Sequence, residues 1–383
     1  MNFKFVKHWF IVFVLAFVPF VVKAQDVNVQ QSFDVLYLDD SANPLSFQQI
    51  SQQPDELFAN AKQSIHVPES LDFSLWYRIK LKKGQPDLSP ALSVLVDNPT
   101  LDKIDFYYLR KDQLVTTKYI GDTQPSSTIL DYVVPKLNLF DGFKNTETLY
   151  IRIKTNGASA SPVIIDLASD AQLRHSAQLM LLGCFVGIVL IMIVYNFFMF
   201  RGVGDPSYVN YIGYIFFAGL TLSLINGFTF FILPFEPAKW LHSHMLFSHF
   251  CGLAFALRFA ISFLRFDTIK PWFVQIGIVL SRINFAIAAS VLVFDEATLT
   301  PVYFASVAAV YLYAILLITQ VYKSKLIWVK YYLASWIPLF VGVGVGIATF
   351  NGAIEYSFLT RNAAMLGILT EIFLMAIALM DRF

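Results

Sequence analysis

Five side chains suited to holding a small molecule lie in segments where apolar and polar residues alternate. They are Trp76, Arg78, Tyr107, Tyr150 and Arg152. Aromatic rings offer flat platforms to ligands such as sugars, and arginine donates paired hydrogen bonds to carboxylates. Because alternate residues of a strand share a face, we expect these groups on one face of a sheet. The alternative is that the aromatic rings only pack, under a loop or against the membrane bundle.

Two ionisable side chains lie about halfway along long apolar segments. They are Arg282 and Glu371. A charge at the middle of a bilayer is costly and normally finds a partner or a cavity. We therefore predict that Arg282 and Glu371 form an ion pair inside a helix bundle. Such a pair would hold the helices together, and a ligand-driven helix shift would strengthen or weaken it. Arg258 lies nearer the end of its segment, where its side chain reaches the interface.

Three histidines, His242, His244 and His249, begin another apolar segment. His242 and His249 share a helix face, but about 10 Å of helix axis separates them, which is too far for one ion. They are interpreted as interfacial histidines, and no metal is predicted. The sequence also has no HExxH motif, nucleophile elbow or phosphate-binding glycine loop, so we predict neither an enzyme nor a cofactor.

The composition is that of a membrane protein. The net charge is +1, 56% of the residues are hydrophobic, and 38 of the 383 are Phe. Nucleic-acid binding is not expected, because the few Lys and Arg are scattered rather than clustered. Residues 1–24 place Lys4 and Lys7 before a short apolar run and end in Ala24, which is typical of a cleaved signal peptide. The alternative is an uncleaved anchor that adds an eighth span.

Residues 25–170 show the two-residue period of strands. In FSLWYRIKLK the core face carries Phe73, Leu75, Tyr77, Ile79 and Leu81, and in TLYIRIK it carries Leu149, Ile151 and Ile153. Further short strands are separated by Pro, Gly, Asn and Asp clusters. This pattern predicts an all-β sandwich of one core.

Residues 176–383 predict a bundle of seven transmembrane helices, since each apolar stretch approaches the ~20 residues that span a bilayer. Gly342 with Gly346, and Gly183 with Gly187, have the spacing of close helix contacts. Positive residues are more frequent in the loops opposite the β domain, which places that domain outside. Those loops carry Arg201, Arg265, Lys270, Lys323, Lys325, Lys330 and Arg382, against Arg174, Lys239 and Arg361 on the other side.

The order of motifs resembles the bacterial seven-transmembrane receptors with diverse intracellular signalling modules. The similarity rests on WYRIKLK at Trp76, VDNPTLDKIDFYYLRKDQ from Val96, Gly121-Asp122, TLYIRIKT, the turn from Arg201 to Tyr208 and the closing LMDRF. It implies a jelly-roll domain in the periplasm that binds carbohydrates or other small ligands, and a bundle in the inner membrane. It also implies either a cytoplasmic signalling partner or an output module that the present sequence does not include, because such a module usually follows the last span. A homodimer is implied as well, since such output enzymes act as dimers.

Three functions compete on these observations. A receptor is favoured by the exported domain followed by a bundle. A transporter or channel is the second, since intramembrane Arg and Glu also mark substrate paths, although no inverted repeat is visible. An intramembrane hydrolase is the third, because the histidines are too few and too poorly spaced for a catalytic zinc.

Overall fold

The computed structural model describes residues 29–61, 72–121, 134–156, 162–264, 270–294, 296–321, 327–350 and 352–382. Within these ranges an antiparallel β domain is followed by seven long apolar helices. The predicted signal peptide, residues 1–24, lies outside the described residues.

The β domain consists of two antiparallel sheets. The larger has six strands in the order β2-β1-β3-β8-β5-β6 and the smaller has three in the order β7-β4-β9. The strands are β1 (Phe33–Asp39), β2 (Ala59–Asn60), β3 (Asp72–Leu81), β4 (Leu92–Val96), β5 (Lys103–Arg110), β6 (Gln113–Ile120), β7 (Lys136–Leu139), β8 (Glu147–Asn156) and β9 (Val163–Leu167). Helix α1 (Phe47–Ser51) and a 3₁₀ turn (Asp55–Leu57) connect β1 to β2.

The two sheets share one apolar core, as expected of a sandwich. The larger sheet contributes Phe73, Leu75, Tyr77, Ile79 and Leu81 from β3, and Leu149, Ile151 and Ile153 from β8. The smaller sheet contributes Leu92, Val94 and Val96 from β4. The predicted inward faces of β3 and β8 are therefore confirmed.

Seven helices are long and apolar enough to cross a membrane within the described part of the chain. They are α2 (Ala168–Val203), α3 (Pro206–Ile225), α6 (Met245–Leu264), α7 (Pro271–Ser290), α8 (Glu296–Val321), α9 (Ile327–Phe350) and α11 (Ala363–Arg382). Short helices α4 (Phe228–Ile232), α5 (Phe235–Ser243) and α10 (Phe358–Arg361) lie between them. We call the end of the bundle next to the β domain the domain end, and the opposite one the far end.

The second apolar stretch is shorter than its hydropathy suggests. The sequence predicts one span from Tyr208 to Leu233, but α3 ends at Ile225. Gly227 adopts a left-handed conformation with φ of 67°, which a helix interior does not allow. The chain then continues through α4 and α5. The third span, which the sequence predicts from Leu241, therefore begins at Met245.

The sixth and seventh spans approach each other at glycines. A Cβ on Gly342 would lie 2.4 Å from the carbonyl oxygen of Ala363, and one on Gly367 would lie 2.5 Å from that of Pro338. A Cβ on Gly183 or Gly187 would meet nothing within 4 Å. Of the two predicted glycine pairs, Gly342 therefore marks a close helix contact, whereas Gly183 and Gly187 lie on an open face of the first span.

Candidate functional site

The five candidate ligand-binding residues lie together on the outer face of the larger sheet, the face turned away from the shared core. In the strand register Trp76 of β3 is beside Arg152 of β8, and Arg78 is beside Tyr150. Tyr107 of β5 is beside Tyr150 from the other side. That these residues contact a ligand stays a prediction.

A segment of the chain itself, residues 45–58, covers part of this face. Arg78 beneath it is only 2% exposed. Its guanidinium contacts Asp55 Oδ1 at 2.5 Å and donates to the carbonyl oxygens of Ile50 and Gln53 at 2.9 and 2.8 Å. The ring of Phe58 lies 3.8 Å from the guanidinium carbon. Arg78 therefore holds the covering segment in place, and it is not open to a ligand.

Asp55 is the anionic partner in this arrangement. Burial would raise the pKa of Asp55, but hydrogen bonds from Lys80 and Arg78 outweigh it, so that the pKa lies below its ordinary value. The carboxylate thus stays charged, which supports the contact with Arg78.

Trp76 and Tyr150 are also buried, at 0% and 5% exposure. The Trp76 indole N–H donates to Asp40 Oδ2 at 3.1 Å. Tyr107 is half-buried, with the ring of Phe47 stacked on it at 4.3 Å. Packing therefore accounts for most of the aromatic side chains, whereas Tyr107 and Arg152 keep part of their surface free.

Arg152 lies beside the buried carboxylate of Asp105, which is not among the five predicted ligand-binding residues. Its guanidinium carbon is 5.3 Å from the Trp76 ring, and its Nε has no hydrogen-bond partner. Asp105 is its register neighbour on β5 and is 2% exposed. Lys103 Nζ lies 3.6 Å from Asp105 Oδ2, while Oδ1 accepts no hydrogen bond. Burial raises the pKa of Asp105 against the opposing effect of Lys103 and Arg152.

A second site joins the β domain to the bundle. Asp97 follows the last residue of β4, and Arg361 ends α10 just before the seventh span. Arg361 Nε donates to both carboxylate oxygens of Asp97, at 3.0 and 2.9 Å, and the Tyr356 hydroxyl donates to the same carboxylate. The two ionised side chains are only 6% and 8% exposed. We call Asp97, Tyr356 and Arg361 the joint.

Amide side chains next to the joint, from the first span, the end of the second span and the start of the seventh, extend it. Arg361 Nη1 donates to Asn226 Oδ1, at the end of the second span, at 2.8 Å. Gln178 of the first span and Asn362 exchange hydrogen bonds of 3.0 and 2.9 Å through their amides. One connected network therefore ties β4 to the first, second and seventh spans.

The charges of the joint are well matched. Burial alone would lower the pKa of Arg361, but the Asp97 carboxylate raises it above the ordinary value. Burial and the Asp97 charge together raise the pKa of the Tyr356 hydroxyl well above its ordinary value. Both groups hold their protons throughout the physiological range. A cavity of about 30 Å³ lies beside them, with Arg174, His175 and Gln178 in its wall. That volume has room for water rather than for a sugar.

The predicted pair of Arg282 and Glu371 is not formed. Arg282 lies on the exposed surface of α7, whereas Glu371 is 3% exposed within the bundle. The Tyr214 hydroxyl of the second span donates to Glu371 Oε2 at 3.3 Å. The prediction was wrong because equal depth along two spans does not fix their rotation, which sets the direction of each side chain.

The three histidines have separate partners. His242 Nε2 and the Thr229 hydroxyl are 3.0 Å apart. The Nδ1 atoms of His244 and His249 each lie near a backbone oxygen four residues earlier. Among the described residues there is no cluster of three or more possible metal ligands.

Family models match both halves of the chain. The model described as 7TM diverse intracellular signalling matches residues 178–382. The chain belongs to this family. The model described as 7TMR-DISM extracellular 2 matches residues 33–165 of the same chain. No curated protein matches.

Membership of the 7TM diverse intracellular signalling family shows a receptor-like membrane protein with an extracellular sensor domain. The domain end of the bundle is therefore the outer end. The joint connects the two matched regions, because Asp97 lies in the extracellular match and Arg361 in the 7TM match.

The contact between Asp97 and Arg361 could not be predicted from the sequence, although motifs and charge counts include both residues. Asp97 lies in the motif from Val96, one of those on which the family resemblance rests, and the sequence places Arg361 only among the outer cations. They are 264 residues apart, and no spacing rule connects them. Asp105 was easier to find, because its alternation with Lys103 and Tyr107 places it on the outer face of β5.

Proposed function

We propose that the chain is a receptor of the bacterial inner membrane that senses a small molecule with its periplasmic β domain. The seventh span passes the change of state to a cytoplasmic signalling partner. The observation that carries this proposal is the buried ion pair between Asp97 and Arg361, which ties the sensor domain directly to the start of the seventh span.

The burial of this pair gives the coupling its strength. Removing one member of a buried pair leaves the other charge without compensation, at a cost of about 3–5 kcal/mol. A rearrangement of β4 that moved Asp97 would therefore take Arg361 with it rather than break the contact. Since Arg361 is two residues before α11, a displacement there acts on the whole helix.

The sandwich provides a route from a ligand to the joint. The outer-face residues belong to β3, β5 and β8, whose opposite side chains share the core with Val94 and Val96 of β4. Packed cores transmit small shifts because they have little free volume. A ligand shifts the receptor only if its affinity differs between two states of the bundle.

The test measures the far end of the bundle while the joint is changed. Spin labels on cysteines at Trp272 and Met380, which are 59% and 40% exposed, report the distance between the fourth and seventh spans. Cys184 and Cys251 are replaced first. We expect Asp97→Asn and Arg361→Gln each to shift or broaden the distance distribution. Glu355→Gln, an exposed acid in the same outer loop, is the matched control and should leave it unchanged.

Two results would contradict the proposal. One is a distance distribution that is the same in the wild type and in both joint variants. The other is uptake of solutes by proteoliposomes carrying the purified chain, which would favour the transporter. The cytoplasmic partner and the homodimer are proposed from the resemblance, and cross-linking in native membranes addresses both.

A further inference from the structure

We propose that the outer face of the larger sheet binds a small hydroxy-carboxylate, whose carboxylate contacts Arg152 and whose hydroxyl donates to Asp105. This inference names a ligand class for the proposed receptor. It rests on the proposed function in one respect, which is that a sensor domain needs a ligand.

Arg152 makes no direct ion pair with another described residue, unlike the other described arginines of the β domain, and its register neighbour Asp105 attracts it only over a longer distance. Arg78 contacts Asp55, and Arg110 contacts Glu147 with a 2.8 Å hydrogen bond. Arg152 is half-buried, and its buried Nε has no partner. An arginine fork matches a carboxylate in geometry and charge. An arginine without a direct ion pair therefore favours an anionic ligand group.

Asp105 provides the second contact. On the outer face its neighbours are Arg152 on β8, Tyr119 on β6, and Lys103 and Tyr107 two residues away on β5. All four side chains are longer than that of Asp105 and surround its carboxylate on this face. Oδ1 is buried and accepts no hydrogen bond. A buried acceptor without a donor is costly, and a ligand hydroxyl would satisfy it.

Charge and apolar surface narrow the ligand class further. The charges of Arg152, Lys103 and Asp105 sum to one net positive charge. This charge complements a monoanion rather than a neutral sugar or a zwitterion. The rings of Tyr107 and Tyr119 stand edge to face at 6.4 Å, and Tyr119 is 51% exposed. They present an apolar wall to the carbon skeleton of a ligand.

Calorimetric titration of the full chain in nanodiscs tests this inference with matched compounds. L-Lactate and glucuronate are the hydroxy-carboxylate panel. Propionate is lactate without the hydroxyl, and glucose is glucuronate with a hydroxymethyl group in place of the carboxylate. We expect at least one panel member to bind, and about tenfold more tightly than its matched compound, which is the typical effect of one hydrogen bond to a charged group.

Three variants assign the contacts. Arg152→Gln should weaken binding of the best panel member at least tenfold, and Asp105→Asn should reduce the preference for L-lactate over propionate. Lys83→Gln removes an exposed charge of the same domain and should change neither value. If Arg152→Gln does not fold, Arg152→Lys keeps the charge without the fork and should weaken binding by a smaller factor.

The inference is overturned if no panel member binds, if glucose equals glucuronate, or if binding is unchanged in the folded Arg152 variant. Its failure is separate from that of the proposed function. If a panel member binds but the distance between labels at Trp272 and Met380 does not change, only the proposed coupling between sensor domain and bundle is contradicted. If Asp97→Asn changes that distance but no panel member binds, only this inference is contradicted.

Discussion

Arg382 at the far end of the seventh span contacts Asp205, in the turn between the first and second spans, with Nη2 3.0 Å from Oδ2. Its Nη1 donates to the Ser207 hydroxyl at 3.1 Å, and the ring of Phe263 lies 5.2 Å from its guanidinium carbon. Together with the joint, this contact fixes both ends of the seventh span. The two motifs that supported the family resemblance in the membrane half, the Arg201–Tyr208 turn and the closing LMDRF, are thus physically connected.

We predict that Arg382→Gln destabilises the bundle by about 2–4 kcal/mol, because the Arg382 side chain is 2% exposed and Asp205 would lose its cation. Arg201→Gln is the matched control. Arg201 is exposed at the same end, so its loss should change the stability by less than ~0.5 kcal/mol. Chemical unfolding in detergent, followed by circular dichroism, measures both.

The charge exchange Asp205→Arg with Arg382→Asp makes this prediction specific. It should recover part of the stability lost in Arg382→Gln, since the pair is restored with opposite polarity. Equal stability of Arg382→Gln and Arg201→Gln would mean that the contact contributes nothing at the far end.

Gly367 gives a second prediction, about the contact between the sixth and seventh spans. Its missing Cβ would lie 2.5 Å from the Pro338 carbonyl oxygen and 3.2 Å from Gly342 Cα. Both are backbone atoms, so Gly367→Ala should push the helices apart and destabilise the bundle by about 1–3 kcal/mol. Gly183→Ala, where a Cβ meets nothing within 4 Å, should be neutral or slightly stabilising. Comparable melting temperatures for the two variants would refute the close contact.

The third prediction concerns Glu371 and Arg282, the partner that the sequence predicts for it. Glu371→Gln should retain or increase stability, because a neutral amide of equal size keeps a contact with Tyr214 and avoids burying a carboxylate. Arg282→Gln should also leave stability within ~0.5 kcal/mol, since Arg282 is exposed. The double variant should show the sum of the two effects. Any coupling energy above ~0.5 kcal/mol in this cycle would restore a link between the two side chains.

Local sequence periodicity was sufficient to predict the fold, but it was not sufficient to predict the contacts at the two sites. The alternation through Phe73 and Ile151 fixed the core faces of β3 and β8, because side-chain direction in a strand depends on parity alone. Apolar length found all seven spans, and failed only at Asn226-Gly227, where backbone conformation overrides hydropathy. The partners of Arg78, Arg361 and Glu371 could not be predicted, since each lies on an element whose position is set by tertiary packing. The cover by residues 45–58 is the clearest case, because it buries residues that their types suggested for a ligand.

The last prediction concerns Glu296, which lies two residues before the fifth candidate span at Thr298. Burial, and next the charge of Asp102 in the β domain, raise the pKa of Glu296 to about 7. An unfolded Glu titrates near 4.3, so the folded state binds the proton more tightly, and wild-type stability falls as the pH rises from about 4 to about 7. Glu296→Gln cannot lose a proton. We therefore expect it to equal the wild type near pH 4 and to exceed it by on the order of 1 kcal/mol above pH 7. Thermal unfolding at pH 4 to 8 measures the difference, with Glu355→Gln, an exposed outer acid, as the control that should show no pH-dependent gain. A constant offset between Glu296→Gln and the wild type over this range would show that Glu296 does not titrate between the two limits.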